Sequence, residues 1–283
     1  MSQPWLARLY GHLYDAVVDG FPPFEELVDE VAGIVEGESR ARAVGPARIL
    51  DVACGTGSVA LRLARRGHAV TGIDSVPHLV EIARRRPRGG ADVRFEAFDL
   101  AHRPAAGPTG FDVLVSMHTL YWHPEPEAFL RGCYHALRPD GRAVFLTYER
   151  PASVVSTWAR VRQERGALDA FRALRWLVPT AAFEAGRRGR RRYLGPQELR
   201  AMLAQAGFEV SWCRPAFLGG VSLLAWARRR PTAGGGCPSD PDVPSLRRGN
   251  SLTINRSDRA SAHGALHANH PFRRSARPGA RPR

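Results

Sequence analysis

The chain has 283 residues, 44% of them apolar, which suffices for one generous domain with appendages and a sizeable core. No stretch approaches the roughly 20 apolar residues that span a bilayer, and Met1-Ser2-Gln3-Pro4-Trp5 lacks a charged-then-apolar leader, so a cytoplasmic chain with no membrane partner is expected. The net charge of +14 does not by itself mark a nucleic-acid binder: every one of its 41 basic residues is arginine, and nine Arg against three Asp after Arg230 place +6 of the total there, leaving +8 for residues 1 to 230.

Residues 1–45 read as two helices. Leu6, Leu9, Leu13 and Val17 form a stripe on one, and Pro22-Pro23 opens the other, which carries Phe24, Leu27, Val31 and Ile34. From about 48 to 148, apolar runs alternate with helical patterns, the signature of a parallel sheet built from βαβ units. Strands are predicted at Arg48 to Ala53, Ala69 to Ile73, Val93 to Phe98, Asp112 to Met117 and Ala143 to Tyr148, the last entered through a Pro139-Asp140-Gly141 turn. Helices are predicted from Ser58 to Arg66, around Leu79, Ile82 and Ala83, and from Pro126 to Leu137.

Residues 152–185 read as a helical insert anchored by Trp158, Phe171, Trp176 and Phe183. Gly195-Pro196-Gln197-Glu198 then opens a helix that Gly207 ends. Phe208 to Cys213 and Val221 to Ala227 read as an antiparallel hairpin, which completes a doubly wound α/β sheet of seven strands, one of them reversed. Residues 231–283, rich in Gly, Pro, Ser, Ala and Arg, are expected to be disordered, so the domain is taken as 46–230 with lid helices at 1–45.

Open parallel sheets bind ligands at the carboxyl ends of their strands, where strand order reverses. In this chain that place is Asp51-Val52-Ala53-Cys54-Gly55-Thr56-Gly57. Gly55-x-Gly57-x-x-Ala60 alone also fits a dinucleotide turn. Asp51 separates the two, because an acid at the strand end repels a pyrophosphate and suits a cationic ligand. Asp74 and Asp99 stand after the second and third strands in the same way. The four cysteines, Cys54, Cys133, Cys213 and Cys237, share no ligand or redox spacing, and Cys54 reads as a small filler.

The run from Ile49 to Ser58, with its acid four residues before Gly55, resembles the first motif of class I S-adenosyl-L-methionine-dependent methyltransferases, with Ala53 where a glycine is often written. Thr71-Gly72-Ile73-Asp74-Ser75, Glu96-Ala97-Phe98-Asp99-Leu100 and Phe111 to Met117 resemble the family's later motifs. The resemblance implies a Rossmann-like fold with a helical lid. It implies that Asp51, Ala53, Gly55 and Gly57 cradle the cofactor, that Asp74 with Ser75 receives the ribose hydroxyls, and that Asp99 with Leu100 receives the adenine. Met117 would lie beside the transferred methyl, with Tyr14 and Tyr10 closing over the cofactor. A small-molecule methyl acceptor is expected, in secondary metabolism by resemblance, and no nucleic acid. A nicotinamide-dependent oxidoreductase on the same turn and a non-catalytic cofactor-binding module are the rivals.

A general base is needed only if the acceptor must lose a proton. His118 is the first candidate, followed by His123 and Tyr148, beside Tyr121 and Glu149. Each also reads as a structural or pocket-wall residue. His118, His123 and His135 lie on different elements without a carboxylate cluster, so no metal is expected. Arg187, Arg188, Arg190, Arg191 and Arg192 read first as a solvated loop.

Overall fold

A computed structural model describes residues 21–41, 45–103, 107–151, 153–186 and 192–231. The first expected helix with Tyr10 and Tyr14, residues 187–191 of the arginine run, Cys237 and the C-terminal segment lie outside the described residues. Seven strands, β1 (Arg48–Val52), β2 (Ala69–Asp74), β3 (Val93–Ala97), β4 (Phe111–Met117), β5 (Leu137–Tyr148), β6 (Phe208–Ala216) and β7 (Ser222–Arg229), form one sheet in the order β3-β2-β1-β4-β5-β7-β6. The first five run parallel, and β7 is antiparallel to both of its neighbours. One strand is reversed, as the hairpin pattern predicted, and it is β7.

Successive residues of a strand point to opposite faces, and the central strands divide their apolar side chains accordingly. Ile49, Val113, Val115, Val144 and Leu146 join one buried cluster; Leu50, Leu114, Ala143 and Phe145 join the other. The first cluster is completed by α1 (Pro22–Ala41), α2 (Ser58–Arg65), α3 (Pro77–Arg85), α5 (Val154–Arg165) and α6 (Ala167–Gly186), the second by α4 (Pro126–Ala136) and α7 (Pro196–Gln205). Strands buried on both faces explain why their sequences read as continuous apolar runs. The helix α1 buries Phe24, Leu27, Val28, Val31 and Val35 and is tied to α2 by Asp29 with Arg62 and Arg66, and to α5 by Glu26 with Arg165. No helix among the described residues is long and apolar enough to cross a membrane.

Two expectations are corrected. Pro139-Asp140-Gly141 does not precede β5 but lies inside it, as an irregularity where pairing jumps from Phe111↔Leu137 to Val113↔Arg142. Asp140 takes a left-handed φ of 61°, which lets the extra residues bulge out while the strand continues. Phe171 is no anchor: it is 73% exposed, whereas Ala170, Ala173 and Leu177, at i, i+3 and i+7, are the buried stripe of α6. Trp176 is buried as expected, and Trp158 packs partly buried against the same cluster.

Candidate active site

Strand order reverses between β1 and β4, so their carboxyl ends open the crevice where such sheets take ligands. The turn after β1 is held in an unusual backbone path: Ala53, Gly55 and Gly57 all have positive φ, of 60°, 55° and 83°. Cys54 N–H donates to the Ile73 carbonyl at 3.0 Å and Gly57 N–H to the Cys54 carbonyl at 2.9 Å, which locks the turn to β2. A Cβ placed on Gly55 would meet nothing within 4 Å. The loop backbone therefore borders open space on that side, as a surface that receives a ligand must. Cys54 is buried, and burial pushes its thiol well above the ordinary cysteine range, so it remains an un-ionised filler.

Asp51 is 2% exposed. Burial pushes its carboxyl up to about 7, against the opposing hydrogen bond from the Ala60 N–H in the first turn of α2, and nearby Asp74 pushes in the same direction as burial. Its Oδ2 is buried with no hydrogen-bond partner among the described residues. A carboxylate in that position is stabilised by a cation.

Asp74 ends β2 and does something the sequence did not announce. Its Oδ2 accepts from Gly55 N–H and its Oδ1 from Val76 N–H, both at 2.9 Å, so it braces the glycine turn from the neighbouring strand. Burial raises its carboxyl, opposed by these two bonds. Ser75, beside it, is exposed. Asp99 caps its own turn, accepting from the Ala101 and His102 N–H groups and bonding the His102 ring at 3.0 Å. Burial pushes its carboxyl up, but the bonds from His102 and Ala101 outweigh that and hold it below the usual carboxylate range. Leu100 is buried, and its carbonyl lies where a Cβ on Gly132 would approach to 2.5 Å, so only a glycine in α4 lets the Asp99–Leu100 segment sit this close.

At the ends of β4 and β5 the candidate bases part company. Met117 is partly buried at the last position of β4, paired with Leu146. His118 stacks on Tyr148 with ring centroids 4.2 Å apart, and Tyr121 meets Tyr148 edge-on at 4.7 Å. Trp176 from the insert and Phe217 from the β6–β7 hairpin close the group: Trp176 lies 6.1 Å from Tyr148, and Phe217 lies 5.0 Å from Trp176 and 5.6 Å from His118. His123 lies elsewhere. Its Nδ1 accepts from Glu125 N–H at 3.1 Å, and its ring packs on Phe129 of α4. Arg192, the last of the arginine run, donates its N–H to the Tyr121 carbonyl and its side chain to Glu127. No group of His, Cys, Asp and Glu that could hold a metal occurs among the described residues.

Gly132, Trp176, Phe217 and Ser222 were not singled out as site residues in the sequence. A glycine inside an amphipathic helix signals close packing, so Gly132 had a signal. Phe217 and Ser222 had none, because a loop and a strand end on the hairpin come to the site only through sheet order.

The sequence model of the family described as "Methyltransferase domain" matches residues 25–211. A ubiquinone biosynthesis O-methyltransferase of Neisseria meningitidis serogroup C is 32% identical over 168 residues, covering 58% of this chain and 64% of that protein. One of the same name from Xylella fastidiosa strain M23 is 36% identical over 113 residues, 40% of this chain and 46% of that one. The chain thus spans less than two thirds of the length of either relative. Among solved structures, magnesium protoporphyrin IX methyltransferase of Synechocystis PCC 6803 with bound SAM aligns with a TM-score of 0.55 at 15% identity, over 81% of this chain and 98% of that one. The 1,6-didemethyltoxoflavin-N1-methyltransferase of Burkholderia thailandensis aligns with a TM-score of 0.51 at 21% identity, over 82% and 92%. These likenesses establish the same fold, and because the family model takes in well over half of its residues, the chain belongs to the methyltransferase-domain family.

Proposed function

We propose that the chain transfers a methyl group from S-adenosyl-L-methionine to a hydroxyl of a small molecule. The buried, unpartnered Oδ2 of Asp51 beside the open face of the Gly55 turn carries this reading. It is the wrong chemistry for a pyrophosphate and the right chemistry for the ammonium of an amino-acid moiety. The Asp74 carboxylate has lone pairs left beyond its two backbone bonds for the ribose hydroxyls. Asp99, two residues past the end of β3, would serve the adenine side. A hydroxyl acceptor is supported by the O-methyltransferase names of the relatives.

When bound, the cofactor supplies an electrophilic methyl on a sulfonium, whose sulfur departs neutral and needs no acid. The work left to the protein is alignment and the exclusion of water. Leu120, Tyr121, Tyr148 and Trp176, all buried, dry the ends of β4 and β5. His118 is poorly suited to take the hydroxyl proton outright: burial pushes its pKa down to about 3, far from the range where a general base works best. His123 has its Nδ1 committed to the turn and serves α4.

The test is equilibrium binding of S-adenosylhomocysteine against NAD by calorimetry, followed by transfer of labelled methyl to a host extract. Micromolar S-adenosylhomocysteine binding with no NAD binding is expected, and a preference for NAD would overturn the proposal. Asp51 adds a pH signature. Its protonated form is favoured in the free protein, so its contribution to folding stability is present below the ordinary aspartate range and lost as pH rises through about 7. An ammonium ligand favours the ionised form. Affinity for S-adenosylhomocysteine should therefore rise from pH 5 to pH 7, by up to about tenfold per pH unit, and level off above, with proton release in calorimetry. A flat profile would mean that no cation meets Asp51.

A further inference from the structure

Ser222 opens β7, is fully buried, and pairs with Tyr148 across the β5–β7 ladder. Its Oγ lies 2.9 Å from Nε2 of His118, a residue 104 positions earlier in the chain. The backbone of His118 is pinned as well. It is left-handed, with φ 52°, its N–H donates to the Leu146 carbonyl at 2.7 Å, and its carbonyl accepts from Trp122 Nε1 at 2.8 Å. A non-glycine residue held in that region costs on the order of 1 kcal/mol, and such strain concentrates at functional sites. The ring itself is stacked on Tyr148 and flanked by Phe217, and its Nδ1 has no partner among the described residues.

We propose that Ser222 is a positioning residue that holds His118 as a neutral imidazole in a single tautomer, so that the acceptor hydroxyl meets a fixed hydrogen-bonding nitrogen. The proposal rests on the reading of this crevice as a methyl-transfer site. In a neutral imidazole one nitrogen carries the hydrogen and the other is bare, and whichever bond Nε2 makes dictates what Nδ1 offers. The buried Ser222 hydroxyl makes no other hydrogen bond among the described residues, so its own hydrogen is satisfied only by donating to a bare Nε2, which leaves the ring hydrogen on Nδ1. The ring is half-buried, and its partial desolvation among aromatic side chains disfavours the charged form. Among the described residues, the titratable groups whose rings meet it or its stacking partner are the phenols of Tyr148 and Tyr121, and Glu149, next along the chain from Tyr148, is paired with Arg150 at 3.1 Å. An uncharged nitrogen of fixed direction orients a hydroxyl toward the methyl without placing a second cation beside the sulfonium.

The experiment is nitrogen NMR of the full chain with labelled histidine, bound to S-adenosylhomocysteine, from pH 5 to 8. In the parent, His118 should show one protonated and one bare ring nitrogen, unchanged across the range. Ser222→Ala should give signals averaged between tautomers, and Ser222→Thr, which restores the hydroxyl, should return the single tautomer. A His118 that titrates near the ordinary value of about 6.5 in the parent, or a tautomer indifferent to Ser222→Ala, would overturn the proposal. Should the alanine variant fail to fold, Ser222→Cys, close in size with a much weaker donor, takes its place with the same expected outcome. Calorimetry on the same samples separates the two readings: a parent that binds no S-adenosylhomocysteine would sink the methyl-transfer function and leave the tautomer result standing on its own.

Discussion

Replacing Asp74 by alanine is expected to weaken S-adenosylhomocysteine binding by about 3 kcal/mol, on the order of a hundredfold, while the chain still folds. The effect has two sources. The proposed ribose bonds disappear, and so do the bonds that brace the turn: Gly55 N–H and Val76 N–H both end on this carboxylate. Both donors are part-buried, so leaving each without its acceptor costs about 1 kcal/mol, the low end of the range for a buried donor. Asp74→Asn, which keeps one carbonyl oxygen but turns an amide toward the other N–H, should fall between parent and alanine. Affinity within threefold of the parent in Asp74→Ala would show that the carboxylate neither meets the ligand nor shapes its turn. Asp99→Ala should have a smaller effect, since Asp99 is engaged by its own turn and by His102 at a half-exposed position.

The strands and the glycine turn were legible in the sequence because their signals are local. Apolar runs doubly covered by helices, a glycine turn and an acid at a strand end sit within ten residues of each other. The contents of the methyl-transfer end were not, because they are assembled by topology: the stack of His118 on Tyr148 depends on β4 lying beside β5, and the bond to Ser222 on β7 inserting between β5 and β6. Phe171 misled for a different reason. The helix α6 is apolar around much of its circumference, with Leu168, Phe171 and Val178 exposed, so size and hydrophobicity pointed to the wrong face while small Ala170 and Ala173 packed. The acids show the same divide. That Asp51, Asp74 and Asp99 cluster after three strands follows from strand order, whereas the turn-bracing bonds of Asp74 and the His102 partner of Asp99 appear only in three dimensions.

Gly57→Ala is expected to lower the melting temperature by on the order of 10 °C, through the packing beneath the same turn. Gly57 stands at φ 83°, and a Cβ there would lie 2.7 Å from Cε1 and Cζ of Phe95 and 3.1 Å from the Ala83 Cβ. The ring cannot swing away, for it is 4% exposed and is wedged on another side by Gly72, whose own missing Cβ would lie 2.7 Å from Cδ1 of the same ring. Two glycines, one in the ligand turn and one in β2, thus make room for a single phenylalanine from β3. Left-handed backbone costs an alanine about 1–2 kcal/mol, and forcing a methyl into a filled core costs about 1–3 more. In a domain of this size each kcal/mol moves the midpoint by roughly 2–4 °C. The two contributions are separable with Phe95→Leu, which shortens the side chain that the new methyl strikes. Added to Gly57→Ala, it should recover part of the loss, leaving the backbone cost in place, and in the parent it should destabilise by leaving a cavity. A melting temperature within about 2 °C of the parent for Gly57→Ala, or no coupling between the two substitutions, would mean that the turn is free to relax. The turn would then not be the rigid seat that the Asp51 and Asp74 arguments require.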